Sequence, residues 1–159
     1  MTSAQALYTL EQLKAASRDE LEMIYRKAVP VPWEPALWRG HFLCMLDSTA
    51  ARNKPLKWIS EIGFANAPFW LDSALRLWCF GTPDIGIGRF TPTPGPSRWR
   101  NTQTLCLNYR ESKLPGLIRR ELYDEVKPLS PDLCLCISGI NAERGAGELF
   151  FFALTREPE

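Results

Sequence analysis

The residues best equipped for chemistry form one short run, Tyr123-Asp-Glu-Val-Lys127. Read as a strand, it puts Tyr123 and Glu125 on one face and Asp124 and Val126 on the other. A carboxylate on an inward strand face can act as acid or base, because desolvation lifts its pKa toward neutrality. Arg39, Arg89, Arg100 and Arg119 are candidate partners. Arginine suits such a pairing because its fork bonds both carboxylate oxygens. The plainer reading is a structural ion pair, which perturbs pKa values without catalysing anything.

His41 is the only histidine. As a general base it would need an orienting carboxylate and a nucleophile. Asp47 stands three alternations away, and neither a Gly-x-Ser-x-Gly nor a His-Glu-x-x-His motif occurs. His41 therefore reads as structural or pocket-lining. Cys134-Leu-Cys136 places two thiols on one strand face, with Leu133, Leu135 and Ile137 on the other. Zinc would need further ligands from a second Cys pair or a His pair, and only Cys106 offers itself across strands. The thiols read as small core residues, and no metal site is expected. Gly86-Ile-Gly-Arg-Phe90 has no third glycine and no following helix, so no dinucleotide site or other cofactor is expected. Six tryptophans, eight phenylalanines and four tyrosines are many rings for 159 residues. Plugging the interior is their default role, but a small barrel cannot hold all of them, so some should line a cleft for a flat apolar ligand or sit under the helix.

The elements that would position these groups are mostly strands. Leu105–Tyr109, Ile118–Lys127, Leu133–Ile137 and Leu149–Leu154 are apolar runs separated by turn chemistry, as in an antiparallel meander or barrel. Leu37 to Asp47 alternates as a first strand, with Trp38, Gly40, Phe42, Cys44 and Leu46 on one face. Phe69 to Phe80 holds one strand or two, and Gly86 to Phe90 another. Thr91 to Ser97, with three prolines and a glycine, reads as a loop. Residues Thr9 to Ala28 are helical, with a capping box at Ser17-Arg-Asp-Glu20 and an apolar stripe of Leu21, Ile24, Tyr25 and Ala28. Leu56 to Phe64 reads as a short helix with a glycine stop, and Asn141 to Gly147 as a turn.

The 19 basic and 18 acidic residues leave no surplus for neutralising phosphates, so no nucleic-acid partner is expected. Five cysteines without a secretory leader point to reduced thiols and a cytoplasmic protein. No apolar run approaches the length of a transmembrane helix. The length suits a single domain, 1–159, with a helical segment at 9–28 and a β-barrel at 37–156.

Leu107-Asn-Tyr109, Ile118 through Val126, Pro131 through Leu135, the closing Phe150-Phe-Phe-Ala-Leu154, and Trp38-Arg-Gly40 at the start of the first strand together resemble calycin-like (lipocalin-like) bacterial barrel domains. In those families an acidic strand end is followed by a turn and an apolar strand. The resemblance implies an antiparallel barrel with its mouth at one end and an apolar interior. Related barrels bind lipids or haem, or cyclise apolar biosynthetic intermediates.

The expectation is thus a mainly β protein: a calycin-like barrel of seven to nine strands, an N-terminal amphipathic helix and one short helix. Its expected partner is an apolar or aromatic small molecule. Trp38, His41, Trp78, Arg89, Trp99, Tyr109, Tyr123 and Glu125 are the candidate ligand contacts. A cofactor-free cyclase or isomerase, with Glu125 or Tyr123 as acid or base, is the alternative. A protein-interaction module using Thr91 to Ser97 or the N-terminal helix is the third.

Overall fold

The computed structural model describes residues 7–46, 62–140 and 147–158. The strands are β1 (Leu37–Met45), β2 (Phe69–Asp72), β3 (Leu77–Phe80), β4 (Gly86–Arg89), β5 (Thr91–Pro96), β6 (Gln103–Asn108), β7 (Leu122–Ser130), β8 (Leu133–Ile140) and β9 (Glu148–Arg156). They form one antiparallel sheet in the order β4-β3-β2-β1-β9-β8-β7-β6-β5. The sheet curls into a nearly closed barrel. Its two end strands, β4 and β5, are consecutive in the chain and joined through Phe90.

Strand β9 shows why the sheet curls. Phe150, Phe152 and Leu154 face the barrel interior, while Phe151 and Ala153 face outward. All five are buried, so the strand is apolar on both sides. The outward layer is covered by helices α1 (Leu10–Ala15) and α2 (Arg18–Lys27). The helical region at 9–28 is thus two helices. The Ser17 capping box is present, and a second one, Thr9 with Gln12, starts α1. Leu21 and Tyr25 of the expected stripe are buried in the outer core, and Ile24 and Ala28 pack at its margin.

Three expectations need correction. Residues 91–96 form an edge strand, not a loop. Pro92, Pro94 and Pro96 alternate, so Thr91, Thr93 and Gly95 retain the N–H groups a ladder with β6 needs. Residues Gly116–Glu121 form a short helix, α3, so the strand expected from Ile118 starts at Leu122. In β1 the alternation slips at a bulge between Phe42 and Cys44. Trp38 and Phe42 face the interior, but Cys44 and Leu46 lie in the outer core. Gly40 is required by packing: a Cβ there would run into the ring of Phe69. Residues Phe69 to Phe80 resolve into a hairpin, β2 and β3, turned by Arg76 at φ 58°. Of Leu56 to Phe64, only 62–64 fall among the described residues, and they are helical; residues 141–146 of the expected turn lie outside them.

Candidate functional site

One end of the barrel is plugged by its own side chains. Trp33 leans on Trp38 and Phe90, at ring-centroid distances of 6.1 and 6.5 Å. Leu107, Val126, Cys134 and Leu154 fill the space around them. At the other end, a cavity of about 260 Å³ remains. It lies where β7 begins, β8 ends and β9 begins.

Aromatic rings and aliphatic side chains build its wall. Phe69, Trp78 and Phe80 come from the β2–β3 hairpin, and Phe150 and Phe152 from β9. Phe64, from the helical turn at 62–66, packs on Phe69, Phe80 and Phe150 with centroids 5.3, 5.6 and 5.0 Å apart. Ile87 and Ile118 are each 47% exposed and mark the opening to water.

The polar part of the wall is a chain of three side chains. Trp78 Nε1 donates to the Tyr109 hydroxyl, and that hydroxyl donates to Asp124. The Asp124 carboxyl is buried, at 6% exposure, and lines the cavity. Burial pushes its pKa up to about 6, although donation from Ser138, Tyr109 and the Gly139 amide favours the charged form. Burial beside Asp124 holds the Tyr109 hydroxyl well above the usual phenol range, so it stays a donor. Among the described residues, no Lys or Arg makes an ion pair with Asp124.

Of the expected ligand contacts, Trp78 and Tyr109 line this cavity. Trp38 is in the interior core at the plugged end. Arg89 is exposed on the edge strand β4. His41 turns outward and bonds Thr155 Oγ1 at 2.8 Å. Its pKa is lowered, first by burial and then by Lys14 and Arg39. Trp99, Tyr123 and Glu125 lie together on the outer face, under the helices.

That second group is a packed polar core. Glu125 is fully buried. Its oxygens accept from Tyr25 (2.8 Å), Ser97 (2.7 Å), the Arg98 amide (2.7 Å) and Tyr123 (3.0 Å). Trp99 stacks edge-on against Tyr123, with centroids 4.9 Å apart. The neighbouring Lys127, also fully buried, donates to the Tyr25 and Ala28 carbonyls at the end of α2 and to Thr102. Burial lowers its pKa to about 8. Arg100, expected to pair with the Tyr123–Lys127 carboxylates, instead pairs with Glu148 at 2.9 Å and with Glu22 of α2.

Asp124 was missed because both faces of β7 are buried. Tyr123, Glu125 and Lys127 share the more polar face and draw attention to it. The available signal was that Asp124 shares its face with Val126, whose register partner is Cys136. Cys134 and Cys136 do share a face, inside the barrel, while Cys106 lies in the outer layer.

No family model and no curated protein matches the chain. The fold is similar to a crystal structure of a protein from Thermomonospora curvata, with a TM-score of 0.50 and 15% sequence identity. The match covers 94% of this chain and 93% of that one. At this identity the likeness concerns fold alone. No helix among the described residues is long and apolar enough to cross a membrane.

Proposed function

We propose that this barrel is a calycin-like binding protein that holds a small apolar or aromatic molecule in its open end. The observation that carries this reading is the cavity itself: ring-walled, open at Ile87 and Ile118, with one short polar chain on its wall. Such a distribution suits ligands held by contact area and oriented by a few polar groups. At about 260 Å³ the cavity stands near the small end of ligand sites, which run from roughly 300 to 1,000 Å³. A single substituted ring or a short branched chain fits that size.

Titration with small aromatic hydrocarbons tests the reading. Saturable change in tryptophan emission is expected, and it should diminish in Trp78→Phe, which removes the indole on the wall. Leu122→Trp, which adds bulk to a lining position, should block binding while leaving the circular dichroism unchanged. If no member of such a panel binds saturably, the reading fails.

A cofactor-free cyclase or isomerase is the second reading, favoured by the raised pKa of Asp124 at the cavity wall. In it, Asp124 takes the acid or base role and Tyr109 donates to developing negative charge. Conversion of a bound substrate that stops in Asp124→Asn, with binding retained, is its signature.

A further inference from the structure

We propose that the ligand of the barrel cavity carries an ammonium group attached to an apolar or aromatic body, and that Asp124 receives it. This deepens the binding reading above and rests on it.

The argument begins with the number of donors around the carboxylate. An ionised carboxylate offers about four acceptor sites. Asp124 takes donors from Tyr109, Ser138 and the Gly139 amide. Those donors are neutral, so they orient the group without cancelling its charge. Among the described residues, no cation pairs with it. A buried carboxylate without a countercharge is costly, and folded chains rarely keep one unless something answers it.

The surroundings match the same ligand. The cavity that Asp124 lines is also lined by Trp78, Phe69, Phe80 and Phe152, and Trp78 is tied to Asp124 through Tyr109. Aromatic faces attract cations through their quadrupole, most strongly for tryptophan and in dry surroundings. A cavity that combines a carboxylate with tryptophan and phenylalanine therefore favours a positive group twice over. The desolvation of Asp124 is already part of the folded state, so binding a cation relieves a cost rather than creating one at that group. With its pKa near 6, Asp124 is mostly ionised at neutral pH. The exposed Arg89 and Arg119 follow the lining residues Gly88 and Ile118 in sequence. Standing in water, they are screened by salt, whereas the charge inside the cavity is not.

Three probes of one shape separate the possibilities: propylbenzene, phenethylammonium and hydrocinnamate, which end in a methyl, an ammonium and a carboxylate. Titration calorimetry at neutral pH should rank phenethylammonium at least roughly tenfold tighter than propylbenzene, as expected for a charge-assisted bond with a cation–π wall, and hydrocinnamate weakest. Asp124→Asn keeps an acceptor for Tyr109 but removes the charge. In it the ammonium should lose its advantage while propylbenzene still binds, which also shows that the variant is folded. If propylbenzene or hydrocinnamate binds the wild type best, the ammonium inference falls and the cavity reading stands. An ammonium preference that survives in Asp124→Asn also overturns it. If neither propylbenzene nor phenethylammonium binds, the cavity reading falls as well.

Discussion

Asp124 and its hydrogen-bonded neighbours make a measurable claim about acid–base linkage. The folded chain holds the Asp124 proton up to about pH 6, whereas an aspartate in the unfolded chain releases it near 3.8. Between those values the folded state binds more protons than the unfolded one, so this group's contribution to stability falls as pH rises and is flat above about pH 6. The difference across the window is on the order of 3 kcal/mol. Urea unfolding from pH 4 to pH 7 should show that slope in the wild type relative to Asp124→Asn, in which it disappears. Equal slopes in the two proteins would mean that Asp124 is hydrated or ion-paired in solution. Glu125 has the opposite character. Its oxygens are already occupied by Tyr25, Ser97, the Arg98 amide and Tyr123. Glu125→Gln replaces an accepting oxygen by an NH₂ group and leaves buried donors facing it. We expect a loss of about 2–4 kcal/mol in denaturant unfolding, with propylbenzene affinity in the cavity unchanged. A stable Glu125→Gln protein with impaired binding would instead place the ligand on the outer face.

At the scale of elements, β5 is the instructive case. It is an edge strand whose prolines occupy every second position, the positions that do not serve its ladder with β6. An edge lacking those N–H groups cannot template another strand. Replacing Pro92, Pro94 and Pro96 with threonine should keep the fold and produce concentration-dependent association by analytical ultracentrifugation; a strictly monomer-like profile identical to wild type would remove this role. The same strand shows where sequence reading stops. Proline clusters signal loops locally, and only the pairing with β6 reveals that alternation makes them compatible with an edge. In α3, Ile118 and the residues after it alternate well enough for a strand, but Pro115 and Gly116 start a helical turn before Leu122. Strands β6 to β9 were legible because their apolar runs are long, and α2 because its capping box is unambiguous. The rings Trp78 and Tyr109 were legible as ligand contacts by type. The inward face of β7 was not, since period two reports that residues share a face and is silent on which face encloses the cavity when both are buried.

At the scale of the whole molecule, the barrel wall separates two cores, one enclosed and one beneath the helices. Cys134 and Cys136 belong to the enclosed core and are fully buried, and burial pushes both thiols far above the ordinary range. Cys44 and Cys106 lie in the outer layer and are half-buried. A thiol-disulfide reagent should therefore label Cys44 and Cys106 under native conditions, and Cys134 and Cys136 only at the global unfolding rate. Native labelling of the Cys134–Cys136 pair would show that the wall opens far more often than its packing implies. One place in that wall is built differently from the rest. Eight seams between neighbouring strands are stitched by backbone hydrogen bonds, but β4 and β5 share no ladder and are joined through Phe90, whose amide donates to the Arg76 carbonyl at 3.0 Å. A cask with one unglued joint between its staves changes girth at that joint first. Spreading β4 from β5 would widen the hollow for a larger guest with no ladder broken anywhere around the circumference.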